Sequence, residues 1–170
     1  MFSGSLVALV TPLKDNNLDI PALGKLIDWQ VDSGTDGIVV CGSTGEGLLL
    51  TDEERTKVIS VAIEVANKRV PIIVGCSACA TTEALRLVHI AEDLRADGAL
   101  VVAPYYLKPT QAGIIEHFSC VRKNSNLPVI MYNNPGRCAV NMSIDTIVNL
   151  AKLGGMALKD SDPNLARVTV

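Results

Sequence analysis

Lys159 closes a short apolar run, Gly155-Met156-Ala157-Leu158-Lys159, which Gly154-Gly155 sets off from the helical pattern before it. Such a run reads as a buried strand, and its last residue would sit at the C-terminal end, where α/β proteins gather their reactive groups. An ammonium is costly to desolvate there, and the neutral amine is the form that attacks a ketone or aldehyde to make a Schiff base. A lysine taken alone is more often a solvated or paired charge, so its meaning depends on what else reaches the same end. Tyr105, Tyr106 and Tyr132 end or follow two other apolar runs, Gly42-Ser43-Thr44-Gly45-Glu46 follows a third, and Arg137 lies five residues beyond Tyr132. A lysine and tyrosines at strand ends form a candidate catalytic set. Each also has a plainer reading: the tyrosines as amphipathic rim residues, Thr44 as a turn former, Arg137 as a solvated loop charge.

Composition narrows the chemistry. In 170 residues, 48% are hydrophobic and 19% charged, which suits one well-packed core and argues against disorder. The net charge of −3 is spread without long runs, so neither a nucleic-acid surface nor an anionic membrane is expected, and a small metabolite is the expected partner. No basic leader or spanning apolar run opens the chain, which reads as cytoplasmic. Cysteines stand at 41, 76, 79, 120 and 138, an odd number that argues for reduced thiols. Cys76-Ser77-Ala78-Cys79 has CxxC spacing, but no second CxxC or clustered histidines accompany it, and His89 and His117 stand alone in helical patterns. No metal is expected.

The elements that must position these residues alternate. Strands are predicted at Ser5 to Val10, Gly37 to Cys41, Val70 to Val74, Gly98 to Val102, Pro128 to Tyr132, and in the run ending at Lys159. Between them lie helices: one opening at Pro21 with Leu23, Leu26 and Ile27 on one face; one with Thr51 and Glu54 in capping-box spacing and Val58, Val61, Ala62 and Val65 as its stripe. The next are striped by Ala84, Leu87, Val88 and Ala91; by Ile114, Ile115, Phe118 and Val121; and, after a Ser143 cap, by Ile144, Ile147, Val148 and Ala151. Asp162-Pro163 reads as the N-cap and first residue of a sixth helix.

Six βα units with continuously apolar strands mean a parallel sheet covered by helices. Thr11-Pro12-Leu13-Lys14 after the first strand is no phosphate-binding glycine loop, which disfavours a doubly wound dinucleotide-type sheet. A (β/α)8 TIM barrel instead brings the polar segments after strands two, four, five and six to one face. A complete barrel takes about 250 residues, so residues 1–170 are expected to form a single barrel domain truncated at its C-terminus. Its first and sixth strands would be unpaired edges.

Gly42-Ser43-Thr44-Gly45-Glu46, Pro104-Tyr105-Tyr106, Tyr132-Asn133-Asn134-Pro135-Gly136-Arg137 and Leu158-Lys159-Asp160, in this order and spacing, resemble the dihydrodipicolinate synthase and N-acetylneuraminate lyase family of pyruvate-dependent class I aldolases. The resemblance runs from Phe2 to the end of the chain, and Arg137 points to the synthase branch. It implies that Lys159 attacks pyruvate and that the enamine adds to aspartate semialdehyde, giving 4-hydroxy-tetrahydrodipicolinate in the diaminopimelate route of lysine biosynthesis. No cofactor is implied beyond pyruvate bound covalently through the lysine. Tyr132 would move protons through Thr44 to Tyr106, the last supplied by a neighbouring subunit of a dimer or tetramer. Gly42, Ser43 and Thr44 would bind the pyruvate carboxylate, and Arg137 the carboxylate of the second substrate.

Asp160 should face away from Lys159 by strand alternation. Where many bacterial relatives bind inhibitory lysine through two histidines and an asparagine, this chain has Asp52, Arg55 and Cys79, with Glu83 and Tyr105 retained, so weak lysine inhibition is expected. Two other readings stay open: a related lyase acting on sialic acid or a keto-deoxy sugar acid, and a non-catalytic barrel fragment.

Overall fold

The six apolar runs pair side by side in the order in which they occur. In the computed structural model, which describes residues 2–169, β1 (Leu6–Ala8) is followed by a small antiparallel hairpin of β2 (Leu13–Lys14) and β3 (Asn17–Leu18). Then come β4 (Gly37–Val40), β5 (Ile72–Gly75), β6 (Gly98–Val102), β7 (Val129–Asn133) and β8 (Met156–Asp160). These five and β1 form one parallel sheet in the order β1-β4-β5-β6-β7-β8. The hairpin was not expected from the sequence; its turn residues Asp15 and Asn16 both take positive φ, as a two-residue turn between antiparallel strands requires.

Helices α1 (Ile20–Asp32), α2 (Asp52–Ala66), α3 (Thr81–Asp93), α4 (Gln111–Lys123), the single turn α5 (Pro135–Cys138) and α6 (Ile144–Ala151) fill the connections. Their starts are built from local chemistry. Asp19 accepts the Ala22 N–H at 3.0 Å, and Thr51 and Glu54 make the reciprocal bonds of a capping box at 3.2 and 2.8 Å. The expected stripe of α3 is buried in full, while Val65 of α2 and Ile115 of α4 are half-buried beside their buried stripe partners. In α6 the expected face is corrected in part: Ile147 packs against the core and Ile144 is half-buried, but Thr146 and Leu150 are buried while Val148 and Ala151 are exposed. The cause is polar, because the Thr146 hydroxyl donates to Gln111 Oε1 at 2.7 Å on α4, turning a threonine inward where the apolar pattern had placed a valine.

Strand residues alternate between two cores. Ile38, Val40, Ile72, Val74, Val101 and Met131 pack beneath the helices, whereas Val39, Ile73, Leu100, Val102, Ile130 and Tyr132 form a second cluster with Phe2, Leu6 and Ala8. Residues of β1 and β7, near opposite ends of the sheet, share that second cluster, so the sheet curls into part of a (β/α) barrel. Strands β4 to β7 are buried at every residue; β8 ends with Leu158, Lys159 and Asp160 exposed. Among the described residues β1 and β8 each have one strand neighbour.

The expected sixth helix is replaced by a short 3-10 helix, Leu165–Thr169. Asp162 does accept a backbone N–H, that of Asn164 at 2.9 Å, and Asn164 in turn accepts that of Ala166 at 3.2 Å. Two successive side-chain turns of this kind carry the chain past Pro163 into the 3-10 helix. Val170, where the helix was expected to continue, lies outside the described residues.

His117 on α4 is a buried histidine whose Nδ1 is hydrogen-bonded with the Thr81 hydroxyl at 2.9 Å, while its Nε2 has no partner among the described residues. Burial pushes its pKa down to about 4 from 6.5. The neutral ring is therefore the folded form, and its contribution is complete above pH 6.5 and is lost as pH falls through the window toward 4, by about 3 kcal/mol. Chemical denaturation across this window should show the loss, and His117→Gln, which cannot titrate, should flatten the slope.

Candidate functional site

Tyr132 and Lys159 are register partners on the parallel strands β7 and β8, and both face the inner side of the curl. The Lys159 Nζ lies 4.5 Å from the centroid of the Tyr132 ring, a cation–π contact. Tyr132 is buried, and Lys159 is exposed among the described residues. The tyrosine hydroxyl is fixed from its own side of the sheet: Asn134 Nδ2 donates to it at 2.7 Å, and the Ser161 hydroxyl lies 3.4 Å away. Asn134 also caps α5 by accepting the Arg137 N–H at 3.2 Å, so one side chain sets both the phenol and the helical turn that carries Arg137.

A cavity of about 200 Å³ opens beside this pair. Gly42, Ser43, Tyr132 and Arg137 line it, together with Arg55, Ser77 and Tyr105. Four of the seven expected site residues thus share one cavity. Lys159 adjoins it through the Tyr132 ring, while Thr44 and Tyr106 are exposed and outside its lining. Tyr106 is 83% exposed and held at φ 70°, a conformation that a tyrosine rarely adopts. The bonds to the Tyr132 hydroxyl come from Asn134 and Ser161, so the relay expected through Thr44 is not assembled within one chain.

Asp160 points to the opposite side from Lys159, as alternation requires, and joins a polar network that fixes β8. Asn133, fully buried, donates to Asp160 Oδ1 at 2.8 Å and to Asn141 Oδ1 at 2.9 Å, and accepts the Met142 N–H at 3.0 Å. Arg167 then reaches Asp160 and Asp162, both at 3.3 Å, and the Met142 carbonyl at 2.7 Å. Sequence reasoning gave Asn133, Asn134 and Arg167 no role. The Asn134-Pro135 pair was a detectable signal, since asparagine followed by proline is an N-cap followed by N1.

Two of the thiols are held back by burial. Burial pushes Cys41 up to about 11 and Cys76 up to about 12, far from the thiolate range at neutral pH. Among the described residues no three His, Cys, Asp or Glu side chains are grouped to hold a metal ion. No helix there is long and apolar enough to cross a membrane.

A second cavity, of about 340 Å³, is lined by Asp52, Arg55, Cys79, Glu83, Arg86 and Tyr105, among others. Arg86 occupies its carboxylates: it binds Asp52 at 2.7 Å and Glu83 at 2.6 and 2.9 Å. The pairing holds both carboxyls below their usual range, chiefly through the arginine hydrogen bonds. Tyr105, between the two cavities, is pushed up to about 12 by burial and by a hydrogen bond with Cys79.

Comparison with known proteins agrees with this fold. Residues 1–169 match the profile of the Dihydrodipicolinate synthetase family. The chain belongs to that family. The 4-hydroxy-tetrahydrodipicolinate synthase of Aquifex aeolicus is 48% identical over 99% of this chain and 58% of its own length; that of Sphingopyxis alaskensis is 46% identical over 100% and 59%. The crystal structure of a chloride-inhibited dihydrodipicolinate synthase from Acinetobacter baumannii, solved with pyruvate, superposes with a TM-score of 0.96 at 47% identity, over 98% of this chain and 58% of that one. The chain therefore spans somewhat under three fifths of the family members it matches, and the partial barrel is the corresponding part of their fold.

Removing the buried amide behind the site should be costly. Asn133→Ala leaves the Met142 N–H and the Asp160 carboxylate short of a partner, and should lower the unfolding free energy by about 2–4 kcal/mol in urea melts.

Proposed function

We propose that this chain carries the Schiff-base centre of a pyruvate aldolase that condenses pyruvate with aspartate semialdehyde to 4-hydroxy-tetrahydrodipicolinate, in the diaminopimelate route to lysine. The observation that carries the reading is the Tyr132–Lys159 register pair, with the amine 4.5 Å above the phenol ring at the mouth of the curled sheet. The names of the relatives and the pyruvate in the Acinetobacter structure support it.

In this reading the neutral Lys159 amine attacks the pyruvate ketone, water leaves, and an iminium forms. The iminium is the electron sink that lets the methyl carbon lose a proton, so the step needs no cofactor. The enamine carbon then bonds to the aldehyde carbon, whose oxygen takes up a proton. The semialdehyde's own amine attacks the iminium carbon and expels Lys159, closing the ring, so one water is released overall. Tyr132 sits where protons must move, and a phenol is a weak base alone, so a relay through Thr44 to Tyr106 completes it. Tyr106, together with the exposed Leu48, Leu49 and Leu107, forms the face by which a second copy docks and lends the tyrosine to its partner's site. The protein is then a homo-oligomer acting in the cytoplasm.

Gly42, Ser43 and Thr44 hold the pyruvate carboxylate, and Arg137, exposed at the cavity edge, holds that of the semialdehyde. Borohydride reduction with pyruvate should add one adduct, on Lys159, and none in Lys159→Ala; a folded wild type without adduct refutes the reading. Arg137→Ala should keep the adduct but lose about 100-fold in turnover with aspartate semialdehyde, whereas a sugar-acid lyase would be little affected. Since Arg86 already neutralises Asp52 and Glu83, micromolar lysine should leave turnover unchanged; inhibition there would overturn this part.

A further inference from the structure

Arg55 lies one turn into α2 and is 4% exposed, yet among the described residues no carboxylate is hydrogen-bonded to it. A buried guanidinium normally has such a partner. Instead Nη1 donates to the Gly75 carbonyl at 2.8 Å, and Nη2 donates to the Gly47 carbonyl. Gly75 is the last residue of β5; Gly47 closes the turn after β4, giving its N–H to Gly42 O at 3.0 Å. The guanidinium thus bridges the glycine turn to the neighbouring strand.

The join is backbone against backbone. A Cβ on Gly47 would fall 1.9 Å from the Cys41 carbonyl oxygen, and one on Gly75 would fall 2.2 Å from the same atom. No side chain fits between these segments, so side chains of the turn and strand cannot set their spacing. The two carbonyls need donors from elsewhere, and a planar fork reaches both. At the far side of the turn the Thr11 hydroxyl donates to Gly45 O at 2.6 Å, so the turn is held at both flanks.

We propose that Arg55 is a positioning residue for anion binding: by bridging Gly47 and Gly75 it fixes the Gly42–Gly47 turn in the shape that presents Gly42 and Ser43 to the cavity. This rests on the reading that the turn binds the pyruvate carboxylate. Arg55 itself lines that cavity, and although its charge also acts on Asp52 and Glu83 in the neighbouring cavity, neither is hydrogen-bonded to it, so an anionic occupant is favoured over a neutral one. Lysine cannot replace it in kind, because one ammonium cannot hold two carbonyls in the geometry of a fork.

Arg55→Lys and Arg55→Met separate the bridge from the charge. Two readouts are taken: amide hydrogen exchange of the segment 42–47, and the pyruvate dependence of borohydride trapping at Lys159. In Arg55→Lys, exchange in 42–47 should rise about tenfold with β6 and β7 unchanged, and half-saturating pyruvate should rise about tenfold at an unchanged plateau. Arg55→Met should raise half-saturation further. Unchanged exchange in a folded Arg55→Lys, or a lowered plateau at unchanged half-saturation, overturns the proposal. If the methionine variant does not fold, the lysine variant decides, and a wild-type turn that exchanges as fast as the exposed tail of β8 overturns the proposal without any variant. If wild type forms no pyruvate adduct, the aldolase reading fails, while the exchange result still decides whether Arg55 holds the turn.

Discussion

The site depends on one parallel pairing, that of β7 with β8, which sets Lys159 beside Tyr132 and Asp160 beside Asn133. Because side chains alternate along a strand, this single register sends the amine to the inner face and the carboxylate to the outer one. A slip by one residue would exchange them, putting a carboxylate beside the phenol and the lysine among the helices. The outer-face bonds from Asn133 to Asp160 and Asn141 therefore guard the inner-face chemistry, although none of these groups reaches the cavity.

Much of the fold was legible because its signals are local. The capping box at Thr51 and Glu54, the stripe of α3 and the apolar runs of β4 to β7 each declare themselves within a few residues. What escaped was settled by distant polar partners. Thr146 turns inward because Gln111, thirty-five residues earlier, accepts its hydroxyl, and no apolar periodicity records such a bond. The tail after β8 reads as a helix from Asp162-Pro163, but the carboxylate and the Asn164 amide spend their capping capacity on tight turns.

The candidate site divides in the same way. Lys159, Tyr132 and Gly42 stand at or just past strand ends and Arg137 on the turn that follows β7, so the alternation of elements gathers them at one mouth. Arg55 and Asn134 act on groups that no pattern names: two glycine carbonyls in one case, a phenol oxygen in the other. Their side chains look like ordinary helix and loop residues until the partner atoms are placed. Tyr106 is the converse, a residue whose sequence position is plain but whose outward direction only the backbone at φ 70° reveals.

The strand order also bears on how the described sheet comes together. Among the described residues β4 to β7 each have two strand neighbours and are buried throughout. Every neighbour in the sheet is also the next strand of that sheet along the chain, so each pairing closes one βα unit. The loop closed by each pairing is therefore short, and the entropy of closing it stays small. The register that brings Lys159 beside Tyr132 is thus a local event between consecutive strands of the sheet, closed by the helical connection of α5 and α6 from β7 to β8.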